Sequence, residues 1–269
     1  MKNPIIQQTE LINIAKEAGK IALKIRKKGL SKSIKSGRDD VVTHADIAVS
    51  EFIRRKLSLI YPGISFIDEE YDQSTKQISD KNIIAIVDPI DGTTNFINKN
   101  VNWAVSIGIV IKSHIAAGII YQPEKENVYF AEKGKGAFLN DEGIQTSSMK
   151  TLNNSIGSFD YPYKKDKNEY EKTERIITAL TQKIKLKKLY NLRSLVLEIM
   201  EVATGKTDFL FHLKVKPWDV AAAIAIVREA GGKCYNTAGH QYKLFEDNIL
   251  ITNGAINHQY FTQIVNNID

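Results

Sequence analysis

The stretch "IIAIVDPIDGTTNF", residues 83–96, restricts the fold of this chain more than any other feature. Its first five residues are apolar on both faces, which predicts a strand buried within a sheet. Pro89 removes a backbone donor and favours an extended backbone at Asp88, so the bend after the strand is stiff. Gly92 permits a tight turn, and residues 93–95 resemble the first turn of a helix.

Two carboxylates and a backbone carbonyl surround this turn, from Asp88, Asp91 and Ile90. The N–H groups at the start of the following helix, together with the helix dipole, form a site that attracts an anion. Carboxylates beside such a site would repel the anion unless a divalent cation lay between them. The segment therefore predicts hard cations and a phosphate group at the same turn.

Acids elsewhere in the sequence supply further oxygen ligands for a cation. The run "ISFIDEEY" contains three acids, residues 68–70, and "KPWDVAAAIAIVREAGG" places Asp219 at the start of a helix. Oxygen-only ligands favour Mg²⁺ or Mn²⁺ over zinc. Each acid also has a purely structural interpretation. Asp219 is typical of a helix N-cap, and Asp46 would complete a capping box with Thr43.

The composition is that of an ordinary globular protein, with 43% hydrophobic and 25% charged residues among 269. No apolar run reaches the roughly 18–20 residues that cross a bilayer. The first ten residues lack an extended apolar signal region, and Cys234 is the only cysteine. These features predict a cytoplasmic protein without a membrane segment.

The net charge of +6 permits binding to nucleic acid or to acidic lipid. Much of the excess positive charge lies in residues 164–188, where acids are interleaved with the lysines. A mixed run of this kind is typical of the solvated face of a helix rather than of a binding surface. Positive charge would also steer anionic small substrates, so charge alone does not select a partner.

Hydrophobic periodicity predicts helices over residues 7–28 and 43–60, followed by a series of mostly antiparallel strands up to about residue 140. Beyond residue 150, the short strands "SIGSF", "KLY" and "TDFLF" alternate with helices, which are expected over residues 169–182, 194–204 and 219–230. The pattern predicts an α/β (α+β) fold. We expect one domain, residues 1–269, whose two sheet-and-helix halves, about 1–148 and 149–269, share one core.

Six segments match, in order, the motifs of a known family: "DDVVTHAD" (39–46), "FIDEE" (66–70), "DPIDGTTNF" (88–96), "EKGKGAF" (132–138), "VATG" (202–205) and "KPWDVAAA…EAGG" (216–232). They cover nearly the whole chain, and "DPIDGTTNF" is highly specific. The chain resembles the inositol monophosphatase family, the Mg²⁺-dependent, lithium-sensitive phosphatases related to fructose-1,6-bisphosphatase. The resemblance implies a layered α/β/α/β/α sandwich of the sugar-phosphatase type, a homodimer, and an active site between the two halves.

The resemblance also implies which residues bind two or three Mg²⁺ ions. Glu69, Asp88 and the carbonyl of Ile90 would hold one ion, and Asp88, Asp91 and Asp219 would hold a second. A third, looser ion would bind Glu69 and waters, and Asp219 would also contact the substrate. The ions would activate a water and stabilise an in-line displacement at phosphorus.

For the phosphate and the attacking water, the resemblance implies a second set of residues. Gly92 and Thr93 would donate their amides to the phosphate. Asp46 would hydrogen-bond the hydroxyl of Thr93, which together with Glu69 orients the water. Lys35, in a mobile segment, would reach the active site.

The substrate-binding region departs from that family. Inositol-specific members carry Gly-Thr-Ala where this chain has Arg193-Ser194-Leu195, and an acid where this chain has His212, seven residues before Asp219. If Arg193 and His212 line the pocket, cationic or neutral donors replace an acid that binds a hydroxyl. Such a site suits a substrate with a second negative group, a bisphosphate or a nucleotide. Arg193 on the surface and His212 satisfied within a strand would remove that preference.

The sequence thus predicts a Mg²⁺-dependent phosphomonoesterase that hydrolyses inositol monophosphate or a similar small phosphorylated metabolite. A phosphatase of 3′-phosphonucleotides or of fructose 1,6-bisphosphate is an alternative. An alternative from another class is an adaptor that binds RNA or the transcription machinery through its basic surface. Every predicted ligand position retains an oxygen donor, which favours the enzyme.

Overall fold

The structure is a computed structural model that describes residues 6–30, 32–34, 41–71, 83–161 and 167–267. Lys35 lies outside the described residues. Within them the α-helices are α1 (Gln8–Lys28), α2 (His44–Ile60), α3 (Thr93–Ile97), α4 (Lys167–Thr178), α5 (Leu195–Ala203), α6 (Pro217–Glu229) and α7 (Gln259–Asn266). The strands are β1 (Lys32–Ile34), β2 (Val41–Thr43), β3 (Ser65–Asp68), β4 (Ile83–Asp91), β5 (Ala104–Ile111), β6 (His114–Gln122), β7 (Asn127–Glu132), β8 (Ala137–Leu139), β9 (Glu142–Gly143), β10 (Ile156–Phe159), β11 (Lys188–Tyr190), β12 (Phe209–His212), β13 (Lys233–Tyr235) and β14 (Ile249–Thr252).

The first large sheet has seven strands in the order β3-β4-β5-β6-β7-β8-β9. Strands β3 and β4 are parallel, and every later neighbour in this sheet pairs antiparallel. The prediction of a mostly antiparallel sheet is confirmed. The parallel pair has a consequence for function, because it brings the carboxyl ends of β3 and β4 to one edge of the sheet.

The second large sheet has five strands in the order β11-β10-β12-β14-β13. Strands β11, β10 and β12 run parallel, whereas β14 runs antiparallel to β12 and β13. The predicted strands "SIGSF", "KLY" and "TDFLF" are β10, β11 and β12. A separate two-stranded antiparallel sheet, β1 and β2, precedes α2.

The helices and sheets alternate in five layers. Helices α1 and α2 pack on the outer face of the seven-stranded sheet through one hydrophobic cluster. A second cluster joins the inner face of that sheet, α5, α6 and the five-stranded sheet. A third covers the far side of the five-stranded sheet with α4 and α7. The predicted α/β/α/β/α sandwich is confirmed, and the central cluster belongs to both sheets at once.

Close packing of α6 on the seven-stranded sheet depends on two glycines. A Cβ at Gly118 would lie 2.2 Å from the carbonyl oxygen of Ala222, and one at Gly108 would lie 3.0 Å from the Cβ of Ala221. A larger residue at either of these two positions would push α6 away from the sheet. The glycines therefore set the height of α6 over the sheet and, with it, the position of Asp219 in its first turn.

The structure differs from the sequence predictions in the second half. Helix α4 continues into a π-helical segment, Ala179–Ile184, which ends at Lys185 with φ 57°. Strands β13 and β14 and helix α7 were not predicted, since each is short and lies among turn-forming residues. The buried side chains of α4 are Thr173 and Ile176, so its charged residues form the solvated face that the charge pattern predicts.

Among the described residues, every helix is too short or too polar to cross a lipid bilayer.

Candidate active site

Strand β4 continues past Pro89 through an irregularity in its pairing. Asp88 pairs with Ser106 and Asp91 with Ala104 on β5, so three residues of β4 span the distance of two on its neighbour. Such a bulge bends the strand and redirects its side chains. Ile90 N–H donates to Asp88 Oδ1 at 3.0 Å. Both carboxylates are buried, Asp88 with 3% and Asp91 with 7% of its surface exposed.

Gly92 joins β4 to α3 in a left-handed conformation, with φ 84° and ψ 41°. A Cβ there would also lie 2.9 Å from the carbonyl oxygen of Asn102 and 3.3 Å from that of Arg193. Both the backbone angle and the lack of space therefore require glycine. The hydroxyl of Thr93 donates to the carbonyl of Ile90 at 3.2 Å, which closes the turn.

The capping box predicted for α2 is present. Asp46 Oδ2 accepts from the N–H of Thr43 at 2.8 Å and from its hydroxyl at 2.6 Å. Asp46 is buried, and its charge is among those that raise the pKa of Asp88. One residue thus stabilises a helix start and lies within electrostatic range of the β4 carboxylates. The hydrogen bond of Asp46 to the Thr93 hydroxyl stays a prediction.

Glu69 follows the last residue of β3 and lies near the β4 carboxylates. Parallel pairing places Asp68 beside Val87, and the N–H of Glu69 donates to the carbonyl of Val87 at 3.3 Å. Glu69 is therefore next to the start of the bulge, and it is half-buried. The acid before it has a structural role, since Asp68 is fully buried and accepts from the hydroxyl of Ser50.

Asp219 is the third residue of α6 and is half-buried. Its Oδ2 accepts from the N–H of Lys216 at 2.6 Å. Lys216 is the N-cap residue, so Asp219 has a structural role at the helix start as its N3 acid and not as the N-cap that the sequence predicts. Its charge also acts on Asp88. As at Asp46, the structural role and a position near the β4 carboxylates coexist in one side chain.

The acids act on one another strongly. Burial raises the pKa of Asp88 well above its usual range, and the charges of Glu69, Asp91, Asp219 and Asp46 raise it further. Like charges brought together away from water disfavour ionisation of each. Acids from three segments that are distant from Asp88 in the sequence, those of Asp46, Glu69 and Asp219, therefore act on one carboxyl group.

The carboxyls of Asp91 and Asp219 behave in the same way. Burial raises the pKa of Asp91 to about 7, against hydrogen bonds from the Ser194 hydroxyl and the Val196 N–H that lower it. Burial also raises the pKa of Asp219 well above its usual range, against the hydrogen bond from Lys216. Several carboxylates can remain ionised together at neutral pH only if positive charge is supplied among them.

The donor set fits a hard divalent cation. Its members are carboxylate oxygens and the carbonyl of Ile90, the ligands that Mg²⁺ and Mn²⁺ prefer. Within the described part of the chain, no three His, Cys, Asp or Glu side chains already stand together as a metal-binding group. Internal hydrogen bonds hold the acids instead, with Asp88 bound to Ile90, Asp219 to Lys216 and Asp91 to Ser194.

The second half brings polar residues to the same region from the ends of its parallel strands. Asp160 follows β10, Asn191 follows β11 and His212 ends β12. Asn191 Nδ2 donates to Asp160 Oδ1 at 3.0 Å. The charge of Asp160 raises the pKa of Asp91, so this edge faces the β4 carboxylates. Asp160 was not predicted as a site residue, although its position directly after the predicted strand "SIGSF" could have indicated one.

His212 is a buried, neutral histidine. Its Nδ1 accepts from the N–H of Lys214 at 3.0 Å, which assigns its proton to Nε2. Burial lowers the pKa of its imidazole, although the charge of Asp160 opposes this shift. As a neutral N–H donor, His212 differs from the acid that its position predicts in the family. Its contact with a substrate stays a prediction.

We call the segment of residues 192–195 the wall of the site, on the side opposite the acids. The predicted contacts of this segment with a substrate stay predictions. Arg193 has an exposed side chain and a left-handed backbone, with φ 59°. The hydroxyl of Ser194 donates to Asp91. The side chain of Leu195 is buried in the central hydrophobic cluster.

Two buried side chains that the sequence analysis did not assign hold this wall. Asn95 Nδ2 donates to the carbonyls of Asn102 at 2.7 Å, Leu192 at 2.9 Å and Arg193 at 3.1 Å. Glu198, within α5, accepts from the N–H groups of Leu192 and Arg193. An acid inside the apolar helix "LVLEIMEVA" was the available signal for the second.

Comparisons with known proteins agree over almost the whole chain. The model of the inositol monophosphatase family matches residues 7–269. Inositol monophosphatase 1 of Pongo abelii is 32% identical over 254 residues, which cover 91% of this chain and 88% of that protein. Fructose-1,6-bisphosphatase/inositol-1-monophosphatase of Thermotoga maritima is 30% identical over 236 residues, which cover 87% and 86%. The crystal structure of the extragenic suppressor protein suhB from Bartonella henselae superposes with a TM-score of 0.85 at 27% identity, covering 96% and 97%.

Proposed function

This chain belongs to the inositol monophosphatase family of metal-dependent phosphatases, and we propose that it hydrolyses a small phosphate monoester with the help of Mg²⁺. One observation carries the proposal: the bulge in β4 places the buried carboxyls of Asp88 and Asp91 together, beside Glu69 at the end of β3. Such a convergence is costly without cations, and it adjoins the turn at Gly92 where backbone N–H groups start a helix.

We assign the cations to the oxygens of β4 and its neighbours. Glu69, Asp88 and the Ile90 carbonyl would hold one ion, Asp88, Asp91 and Asp219 a second, and Glu69 with waters a third. When bound, the ions supply positive charge that acidifies water and offsets the charge of the phosphoryl oxygens. The residues themselves fix where that charge is placed, because Asp88 and Asp91 are buried on a bulged strand.

The turn after β4 would bind the phosphate. The N–H groups of Gly92 and Thr93 lie at the start of α3, where backbone donors have no acceptor one turn back. The hydroxyl of Thr93, with Glu69, would orient the attacking water, and Asp46 would support it from the start of α2. Lys35 would add a positive charge. In this scheme Thr93 positions water and is not a nucleophile.

The substrate class follows from the relatives' names and from the wall. Inositol monophosphate or a similar small phosphorylated metabolite is the leading candidate, since the names of both relatives include inositol monophosphatase, and one of the two names also gives fructose-1,6-bisphosphatase. A bisphosphate or nucleotide is the second candidate. It is favoured by the exposed Arg193 and by the neutral His212, which would leave that side of the pocket without the family's acid.

A phosphate-release panel with Mg²⁺ tests the proposal. The substrates are inositol 1-phosphate, fructose 1,6-bisphosphate and 3′-phosphoadenosine 5′-phosphate, each measured again after chelation with EDTA. We expect release from at least one substrate and its loss on chelation. Full activity in EDTA would refute the metal requirement. No release from any substrate, with RNA binding retained, would favour the adaptor.

Several further expectations stay predictions. They are a homodimer, inhibition by millimolar lithium, a cytoplasmic location and a single domain over residues 1–269. The hydrophobic cluster shared by both sheets supports the single domain, since neither half could bury it alone. Binding to nucleic acid or the transcription machinery has less support, because the charged residues of α4, which form part of the mixed charge run, make an ordinary solvated face.

A further inference from the structure

The start of α5 is bonded to β4, across the interface between the two halves. Ser194 is the N-cap residue of α5, yet its hydroxyl makes no bond to its own helix. It donates to Asp91 of β4 instead. Asp91 therefore accepts from a hydroxyl that would otherwise cap α5, and this bond restricts the orientation of its carboxyl group.

Glu198 holds the segment that leads into this turn. Its Oε1 accepts from the N–H of Leu192 at 2.6 Å and from that of Arg193 at 3.2 Å. The residue has no exposed surface, and its Oε2 is buried without a hydrogen-bond partner among the described residues. Burial raises the pKa of its carboxyl well above the usual range. A neutral carboxyl group is the form that such surroundings favour.

The same segment is held from its other side by Asn95. The carbonyls of Leu192 and Arg193 accept from Asn95 Nδ2, while their N–H groups donate to Glu198. Arg193 adopts φ 59° between these contacts, a conformation that non-glycine residues rarely adopt. Such a backbone persists only where its surroundings determine it, and Glu198 and Asn95 are those surroundings.

Packing alone does not account for Glu198. Apart from Glu201, the other residues of α5 are apolar and belong to the central hydrophobic cluster, where Leu or Met would pack without a buried polar atom. An acid is costly at this position unless its acceptor oxygen is needed. The acceptor is used only on the backbone of residues 192 and 193, immediately before Ser194.

We propose that Glu198 is a positioning residue for the metal site. By holding the backbone of Leu192 and Arg193, it places the Ser194 hydroxyl against Asp91, and so orients a carboxylate that would bind a cation. The inference rests on the metal role that the proposed function gives Asp91. Partners of a ligating carboxylate typically change metal affinity by about 10- to 100-fold when they are lost.

Direct binding of Mn²⁺ without substrate, measured by electron paramagnetic resonance on the full chain, tests the inference. Glu198→Ala removes both acceptor contacts, so we expect about tenfold weaker Mn²⁺ binding. Glu198→Gln keeps an acceptor oxygen and has the shape of a neutral carboxyl, so it should bind Mn²⁺ within about twofold of the wild type. Met200→Ala is the matched control: it removes a buried side chain from the same helix and lowers Tm, but should leave Mn²⁺ affinity unchanged.

The inference fails if Glu198→Ala binds Mn²⁺ like the wild type, or if Met200→Ala weakens binding as much. If Glu198→Ala does not fold, Ser194→Ala decides: it must also weaken Mn²⁺ binding several-fold, and unchanged affinity would overturn the inference. Failure of the proposed function is distinguishable, because the metal measurement uses no substrate. A wild type that binds Mn²⁺ but releases no phosphate refutes the function alone, whereas a wild type that binds no Mn²⁺ refutes the inference.

Discussion

The two sides of the candidate site are held in place by different means. On the acid side, Asp88 and Asp91 are parts of a strand, and backbone pairing with β5 determines where they lie. On the wall side, residues 192–194 form a loop that side chains from elsewhere hold, namely Asn95 and Glu198. A substitution of Asn95 or Glu198 should therefore move the wall more than it moves the strand pairing of β4.

The largest effect is expected on the acid side. Asp91→Asn removes one negative charge from the proposed second cation site, where a hard cation depends on charged oxygen ligands. We expect phosphate release to fall by about a thousandfold or more, with the circular dichroism spectrum unchanged. The measurement is kcat/KM against Mg²⁺ concentration.

Asp160→Asn is the matched control for that variant, since it removes an acid of the wall side that faces the same region. It should reduce activity by less than about tenfold. Wild-type activity of Asp91→Asn at low Mg²⁺, or equal losses in both variants, would remove the distinction between the two sides.

The two sides should also differ in how pH affects the metal-free protein. The folded pKa of Asp91 is raised to about 7, so its stabilising contribution is complete below about pH 4 and is lost as pH rises to about 7. At about 1.4 kcal/mol per pKa unit the loss is at most about 4 kcal/mol. His212 has a lowered pKa, so its contribution has the opposite sign and is lost as pH falls below about 6.5.

Thermal unfolding in EDTA across pH 4–8 separates these contributions. Tm should fall toward neutral pH, Asp91→Asn should flatten that fall, and added Mg²⁺ should restore Tm at pH 7. His212→Gln should change the profile only on its acidic side. A Tm that rises steadily from pH 4 to 7 in EDTA would contradict the electrostatic account of the acid side.

Gly92 lies where the two sides meet. Gly92→Ala would force a left-handed backbone on alanine, at about 1–2 kcal/mol, and would place a Cβ 2.9 Å from the carbonyl of Asn102. With the overpacking included, we expect about 3 kcal/mol lower stability in urea unfolding. Gly134→Ala is the control, because its φ is also positive but a Cβ there meets nothing within 4 Å. Equal losses in both variants would show that backbone strain alone matters at Gly92.

The smallest effect is expected on the wall. If the exposed Arg193 binds a second phosphate, Arg193→Ala should lower kcat/KM for fructose 1,6-bisphosphate or 3′-phosphoadenosine 5′-phosphate by about ten- to a hundredfold, the loss of about 2 kcal/mol. Inositol 1-phosphate should be affected little. Lys188→Ala is the control, because Lys188 is an exposed residue of β11. Equal, weak responses to all substrates would leave inositol monophosphate as the favoured substrate.

Much of the acid side could be predicted from the sequence because its causes are local. The apolar run before Asp88 becomes β4, Gly92 takes the left-handed angle, and Thr43 and Asp46 form the capping box. Strand β4 extends further than predicted, however, since it continues through the bulge to Asp91. A bulge depends on the neighbouring strand, which the segment does not encode by itself.

The wall could be predicted much less well. The side chains of Asp160 and Asn95 form hydrogen bonds with residues about 30 to 100 positions away. Glu198 forms its hydrogen bonds with a nearby loop that has an unusual backbone conformation. Arg193 was compared with a glycine of the family, and its left-handed φ is the conformation that a glycine would take. The sequence alone could not show that this backbone is kept by hydrogen bonds on both sides.

The sequence by itself determined the local features of this protein: the acids at strand ends and helix starts, the glycine turn and the order of the family motifs. Short-range physics is sufficient for these, because proline, glycine and capping residues act within a few positions. Only the tertiary structure decided which acids share one buried volume and which side chains hold the wall. Those properties depend on the register of β3 beside β4, on glycines that let α6 approach the sheet, and on hydrogen bonds between the halves. Each joins residues that no local pattern connects.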